Sequence, residues 1–216
     1  MKKKLFSEMN NTKKMFLFLI IIVVVFIIIM LVINIFYFKS FDNNINNNQT
    51  VQKIDQMENY DYYLDDNASE YYKELYDELK SILNSDDINE EEYAKIVAKL
   101  FVTDLFTLDN KLTSSDIGGL QFIYSDFKED FVNIAKTTLY SGVESNIYGD
   151  REQELPIVSD VQITSIQDSS FTYQNNSYDS YDIRTQITYQ KDLGYPSEYS
   201  LVLIKNDIYL QIVSGE

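Results

Sequence analysis

The sequence contains no histidine, no cysteine and no tryptophan, and it has only two prolines and six glycines in 216 residues. Without histidine and cysteine the chain has no Ser-His or Cys-His catalytic pair, and no imidazole or thiolate ligand for a transition metal. The glycines form neither a Walker-type loop nor a dinucleotide-binding loop. Carboxylate chemistry is what remains for a catalytic or metal site.

The longest apolar run covers residues 15–33 and follows five lysines within the first 14 residues. About 20 apolar residues span the roughly 30 Å hydrocarbon core of a bilayer as a helix. We therefore predict a transmembrane signal anchor at residues 15–38 and a basic tail at residues 1–14. A cleaved signal peptide is the alternative, but its apolar region is typically only about 7–15 residues long and no small-x-small cleavage site follows this run.

The charge distribution predicts how the chain is oriented. Residues 1–40 carry six lysines and one glutamate, net +5, and residues 41–216 carry the other 12 basic and 33 acidic residues, net −21. Lysines favour the cytosolic flank, so we expect a cytosolic N-terminus and a C-terminal domain on the extracytoplasmic side of the cell membrane. A domain this acidic repels phosphate, which argues against nucleic-acid binding. An exported domain without cysteine fits the surface of a Gram-positive bacterium.

Two segments follow the predicted anchor. Residues 39–66 are polar and acidic, with an asparagine-rich run at residues 43–48, and they lack apolar periodicity. This composition predicts a flexible Asn-rich acidic linker. For its aromatic residues Tyr60, Tyr62 and Tyr63, two alternatives stay open: an early start of the first helix, or docking on the domain. Residues 67–216 are long enough for one extracytoplasmic domain with its own core.

Two helices are predicted at the start of this domain. Asn67 with Glu70 three residues later is a capping box, and it predicts a helix over residues 68–84. Asn89 with Glu92 has the same spacing and predicts a second, strongly apolar helix. The short segment between them makes a helical hairpin.

A third helix is predicted after a glycine-containing turn. Gly118 and Gly119 indicate positive φ or a close backbone approach, and residues 120–123 are predicted as a short strand. Asp126 is the predicted cap of the helix and Gly142 its end. Its apolar residues are expected to face inward: Phe127, Phe131, Ile134, Ala135 and Leu139.

From residue 157 the apolar period changes to two, which is typical of strands. The predicted strands cover residues 157–163, 171–173, 181–189, 199–203 and 208–212. A polar loop is predicted at residues 175–180 and a tight hairpin turn at Asn206 and Asp207. Helices followed by strands predict an α+β fold, in which the helical hairpin and the third helix pack on a curved antiparallel sheet.

The carboxylates do not form a recognisable catalytic pattern. The acidic residues at positions 61, 65, 66 and 70 offer oxygen ligands for Ca²⁺, but they do not follow the EF-hand spacing. Asp116 or Asp182 would be a general base only if buried, and no second catalytic group accompanies either of them. We therefore predict no enzymatic activity, no metal and no cofactor.

Tyrosine is unusually abundant, with 18 residues. The abundance has two interpretations: half-buried packing on helices and strands, or an exposed aromatic surface for a protein partner, since tyrosine is enriched at interfaces. The candidate partner surface consists of Tyr71, Tyr72, Tyr76, Tyr173, Tyr178, Tyr181 and Tyr195.

The element order resembles the NTF2-like cone fold over residues 68–214. The segments that carry the resemblance are 101–106, 116–122 and 131–140. With one N-terminal anchor and an exported domain, the chain is similar to the VirB8-type and TcpC-type components of conjugation and type IV secretion machines. The resemblance implies a non-enzymatic scaffold that self-associates and contacts other membrane proteins. An NTF2-like module that binds a small ligand, and more weakly a carboxylate-dependent enzyme, stay open as alternatives.

Overall fold

The computed structural model describes residues 49–57 and 59–216. The predicted basic tail at residues 1–14, the anchor at residues 15–38 and the first part of the predicted linker lie outside the described residues. Within the described ranges, no helix has the length and apolar character needed to cross a membrane. The described part of the chain forms one compact unit that begins at Gln49.

The unit is α+β, with three helices packed on a four-stranded antiparallel sheet, which confirms the predicted fold class. A separate two-stranded sheet precedes the helices. The helices are α1 (Glu70–Leu83), α2 (Glu90–Phe106) and α3 (Lys128–Thr137). The strands are β1 (Lys53–Gln56), β2 (Tyr63–Asp65), β3 (Val158–Tyr173), β4 (Asn176–Tyr189), β5 (Glu198–Asn206) and β6 (Tyr209–Gly215).

The prediction of a flexible linker up to residue 66 is wrong for its last part. Strands β1 and β2 pair antiparallel there, and Tyr62 and Leu64 are buried. The Tyr62 ring packs 5.3 Å from the Phe122 ring between centroids. A few aromatic and aliphatic side chains thus supply enough burial to fix a segment whose other residues are polar.

The predicted cap of the second helix is confirmed, and the predicted cap of the first helix is wrong. Asn89 caps α2 as predicted, and its side-chain oxygen accepts the backbone N–H groups of Glu91 and Glu92. Helix α1 begins later than predicted because Ser69, rather than Asn67, supplies the capping oxygen. The Asn67 side chain instead donates to the Asn110 carbonyl at 2.8 Å and ties the chain before α1 to the loop after α2.

Helix α2 is the centre of the core, because most of its residues are buried on all sides. The turn after it lies directly against its surface. A Cβ atom at Gly118 would lie 2.1 Å from the Asp104 carbonyl oxygen, and Gly119 has φ +78°. This confirms the prediction that the glycine pair serves a close approach and a positive φ.

The region from residue 120 to residue 142 differs from its prediction. Residues Leu120–Phe122 form a 3₁₀ helix instead of a strand, and only Ile123 makes a bridge to Ile212. Helix α3 has no side-chain cap from Asp126, it ends before Gly142, and its Ile134 is 62% exposed. A short helix on the surface needs only a narrow apolar stripe, so the inward-facing prediction fails for Ile134.

The sheet has the strand order β3-β4-β5-β6, and each neighbour pair is antiparallel. Strand β3 is one long strand where two were predicted, and β4 begins within the predicted loop at residues 175–180. The two strands meet at Gln174 and Asn175, which have φ +50° and +65°. This pair of positive φ angles makes a two-residue turn, so the polar residues of the predicted loop continue the hairpin. The second hairpin is confirmed, but its turn lies one residue later than predicted: Asn206 pairs with Tyr209, and the turn residues are Asp207, with φ +58°, and Ile208.

The space between the helices and the sheet is filled by the chain's own side chains. The Phe101 ring lies 5.8 Å from the Phe131 ring and 6.3 Å from the Tyr199 ring, and the Phe106 ring lies 5.2 Å from Tyr199. Aromatic packing of this kind closes the interior of the domain.

Candidate functional site

The seven tyrosines of the predicted partner surface lie in different environments in the structure. Tyr72 is 5% exposed and Tyr76 is fully buried, so their assignment to a partner surface is wrong. The Tyr76 hydroxyl donates to the Tyr62 carbonyl at 3.0 Å, and the Tyr72 hydroxyl accepts from Gln121 Nε2 at 2.8 Å. Both residues point from α1 into the core, where their hydroxyls find internal partners as buried tyrosines require.

Two of the tyrosines come together at the end of the β3–β4 hairpin. The Tyr173 and Tyr178 rings each lie 6.4 Å from the Tyr124 ring. The Phe127 ring lies 4.9 Å from Tyr173 and 6.2 Å from Phe171. This aromatic cluster holds the end of the hairpin against the segment before α3.

The remaining three tyrosines lie elsewhere on the domain. Tyr195 pairs with Tyr189 at 6.4 Å between ring centroids, and Tyr181 packs partly buried against the main core. The Tyr71 hydroxyl accepts the backbone N–H of Val161 at 2.9 Å. Packing therefore accounts for most of the tyrosine content.

The feature that stands out as a binding surface is the outer edge of β3. This strand lies at one end of the sheet and pairs only with β4. In the described part of the chain, two hydroxyl groups bond to the backbone of β3 near its start: Thr107 Oγ1 accepts the Val158 N–H, and the Tyr71 hydroxyl bonds at Val161. An edge strand presents unpaired N–H and C=O groups that can pair with another strand.

The distal half of β3 has few of the features that usually protect an edge, and Asp168 is its one charged residue. Its bulges lie at Val158/Asp160 and Ile163/Ser165, and from Ser165 to Tyr173 the register with β4 is regular. The whole strand contains no lysine, arginine or proline. Natural edges are usually blocked by such residues, by bulges or by a short strand length. The edge from Ser165 to Tyr173 is therefore open to strand addition.

A groove of about 470 Å³ runs between β3 and the exposed faces of α1 and α2. Its apolar lining comes from Ile96, Ile163 and Ile166. Lys95 on its rim pairs with Glu91 and Glu92. The groove provides side-chain contacts next to the open backbone edge.

Three of the candidate carboxylates, Asp66, Asp116 and Asp182, lie in different segments of the domain. Asp182 is exposed, and the half-buried Asp116 accepts the backbone N–H of Leu112 at 3.0 Å. Asp66 accepts the N–H of Gln52 at 3.0 Å. Within residues 49–57 and 59–216, no three acidic side chains are placed to hold a metal ion.

A buried ion pair lies near these carboxylates. Lys111 Nζ donates to Asp104 Oδ1 at 2.5 Å, and the other Asp104 oxygen accepts the Gly119 N–H at 2.6 Å. Burial alone lowers the pKa of Lys111, but the Asp104 charge outweighs it and the pKa is raised. Both oxygens of Asp104 are used in fixing the loop to α2, so this pair is structural.

Sequence reasoning missed the edge of β3 because it divided the strand in two. The available signal was the polar stretch around Gln174 and Asn175, which is as compatible with a two-residue turn as with a loop. Comparison with protein-family models, curated proteins and solved structures finds no match to this chain. The function is therefore inferred from the geometry of the domain.

Proposed function

We propose that this protein is a non-enzymatic, single-pass membrane protein whose extracytoplasmic domain assembles an envelope complex by strand addition at the outer edge of β3. The observation that carries the proposal is the regular, unblocked edge from Ser165 to Tyr173. Strand addition draws its affinity from main-chain hydrogen bonds and its specificity from neighbouring side-chain pockets. The groove beside β3 supplies such a pocket.

The proposed occupant of the edge is β3 of a second copy of the chain. Two identical edges paired antiparallel around a two-fold axis form a closed, self-complementary interface. Asp168 is the one charged residue between positions 165 and 173. With Ser169 on the axis, Asp168 faces Ser170 of the other copy and no two carboxylates lie directly opposite each other. Like charges directly opposite would be destabilising, so this register is favoured.

The membrane context strengthens this assembly. In the proposal, residues 15–38 anchor the chain and hold the domain outside the cell membrane. Confinement of the copies to one surface raises their effective concentration, so a modest edge-to-edge affinity is sufficient. The proposed architecture is an NTF2-like cone, and the proposed setting is a conjugation or type IV secretion apparatus of the VirB8 or TcpC type with other membrane subunits.

The filled interior weighs against the alternative of a small ligand held inside the cone. Phe101, Phe131 and Tyr199 occupy the space between helices and sheet where such a ligand would bind. A ligand there would have to displace aromatic packing that stabilises the core.

Cysteine crosslinking of the full-length protein in membranes tests the proposal, because the natural chain has no cysteine. Ser169→Cys, with Gln167→Cys and Ser170→Cys for the neighbouring registers, should give a disulfide-linked dimer on mild oxidation. Residues facing each other across paired strands have Cα atoms about 4.5–5.5 Å apart, within the range of a disulfide. Ser141→Cys, at an exposed position, is the matched control.

Two results would overturn the proposal. The first is the absence of a dimer from all three β3 variants, and the second is equal dimer formation by Ser141→Cys. Dimer formation at one β3 position also identifies the register.

A further inference from the structure

The groove beside β3 lies at the point where the proposed strand pairing ends. Its lining includes residues 162–166 of β3, and its volume is about 470 Å³. The register of β3 with β4 is irregular between Ile163 and Ser165 and regular from Ser165 onward. A strand added to the regular part therefore stops at Ser165, and the chain that continues from that strand enters the groove.

The proposed register determines which segment of the second copy reaches the groove. With Ser169 on the two-fold axis, residues equally distant from position 169 face each other, so Ser165 faces Tyr173 of the second copy. The residues before Ser165 then lie opposite the turn between β3 and β4, where Gln174 and Asn175 have φ +50° and +65°. The chain of the second copy thus reverses direction at the groove instead of continuing along the edge.

The end of the β3–β4 hairpin carries no charge. Residues 169–178 contain no acidic or basic side chain, whereas residues 41–216 have a net charge of −21. Residues 174–177 at the tip are all exposed. Two copies of so acidic a domain repel each other, and the uncharged tip is a segment that approaches a second copy without adding to this repulsion.

The groove is suited to a polar, uncharged segment. Its lining contains two glutamates and two lysines, so their charges balance, and the partly buried Ile163 and Ile166 supply apolar surface. A side-chain amide has both donors and an acceptor, so Gln174 and Asn175 can bond to carboxylate and ammonium groups alike. A charged side chain at the tip would be attracted by one pair of these groups and repelled by the other.

We propose that the β3–β4 turn of a second copy, residues 173–176, docks in this groove, and that the two copies of the dimer exchange this contact. The inference rests on the proposed strand addition and adds two contacts to the same two-fold interface, one at each end of the paired strands. A strand as polar as the distal half of β3 specifies its pairing register only weakly. The docked turns fix that register.

Photo-crosslinking of the full-length protein in detergent tests this contact. One population carries p-benzoyl-phenylalanine in place of Asn175, and a second, isotope-labelled population carries no photoreactive residue. After mixing and illumination, mass spectrometry should find adducts between the photoreactive residue and labelled peptides that contain residues 78–99 or 162–166. The same photoreactive residue in place of Ser141, which is also exposed, is the matched control and should give no adduct with these peptides.

A bulky side chain in the groove tests the contact independently. Thr164 is exposed and lines the groove, so Thr164→Trp should obstruct it. The dissociation constant of the dimer, measured by analytical ultracentrifugation, should rise about tenfold or more. Thr188→Trp, at an exposed threonine of β4 outside the groove lining, is the matched control and should leave the dissociation constant unchanged.

The results separate this inference from the proposed strand addition. Adducts that are absent or confined to other surfaces would overturn the docking of the turn, and so would equal dissociation constants for the two tryptophan variants. If the Ser169→Cys dimer forms in that case, strand addition stands and only the docked turn fails. Absence of both the dimer and the adducts would overturn the two proposals together.

Discussion

The Tyr62 and Tyr93 hydroxyls lie 2.6 Å apart, both within the core. This hydrogen bond joins the segment before α1 to the first turns of α2, across 31 residues of sequence. It makes residues up to 66 part of the domain, although their composition predicts a linker.

The first prediction concerns this contact. Tyr62→Phe should lower the free energy of unfolding by about 1 kcal/mol, because it removes one buried hydrogen bond and leaves the Tyr93 hydroxyl without that partner. Tyr62→Ala should cost about 3–5 kcal/mol, since it also leaves a cavity. Denaturant unfolding of the full-length protein measures both values. A loss below about 0.5 kcal/mol for Tyr62→Ala would show that the segment is not part of the core.

The second prediction concerns the glycine turn. Gly118→Ala should destabilise the domain by about 1–3 kcal/mol. The added Cβ atom would lie 2.1 Å from the Asp104 carbonyl oxygen, so the turn would have to move away from α2. Gly142→Ala is the matched control, with open space around its Cβ position. It should be neutral or stabilise by about 0.4–1 kcal/mol. Thermal unfolding measures the stability of both variants. Equal changes in stability would contradict the close approach of Gly118 to α2.

The third prediction concerns the buried ion pair. Lys111→Met should lower the free energy of unfolding by about 2–3 kcal/mol, since Asp104 keeps its charge in a largely enclosed site. This loss in the free energy of unfolding is small for a broken buried ion pair, because the Asp104 side chain is 23% exposed and water screens its charge. Lys99→Met, on the rim of the β3 groove, serves as the control and should change stability by less than about 0.5 kcal/mol. Denaturant unfolding near neutral pH measures the difference, and equal losses in the two variants would contradict the prediction.

The fourth prediction is a loss of stability at alkaline pH. Burial raises the pKa of Tyr93 and of Tyr199 to about 12, and it raises the pKa of Tyr62 well above the ordinary value of 10.0. The folded state therefore holds these protons after the unfolded state has lost them. Their contribution to stability is complete below pH 10 and is lost as the pH rises through the folded-state values.

A pH titration followed by circular dichroism and by phenolate absorbance tests whether stability falls as the pH rises. The expected result is cooperative unfolding above pH 10, accompanied by a step in phenolate absorbance. Tyr93→Phe should reduce the slope of stability against pH. Stability that rises from pH 10 to pH 12 would contradict the prediction.

Much of the fold follows from local signals in the sequence. The cap at Asn89, the glycine turn at residues 118 and 119 and the last hairpin were predicted correctly, because each depends on residues close in sequence. The errors involve tertiary contacts. The apolar periodicity of α3 predicts that Ile134 faces inward, but Ile134 is exposed. The burial of Tyr62 depends on contacts with residues that are distant in sequence, such as Tyr93.

The candidate sites could be predicted less well. Tyrosine abundance indicated a surface, but Tyr72 and Tyr76 are buried and satisfy their hydroxyls internally. The open edge of β3 depends on which strand lies at the end of the sheet, a property of topology that periodicity does not contain.

The measurement that tests the central claim most directly is the mass of the full-length protein in detergent, determined by analytical ultracentrifugation over a range of concentrations. The account predicts a reversible monomer–dimer equilibrium. Ser169→Lys should shift it to monomer, because a lysine on an edge strand opposes pairing, while Ser141→Lys should leave it unchanged. A monomer at all concentrations, or a dimer that Ser169→Lys does not weaken, would contradict assembly through β3.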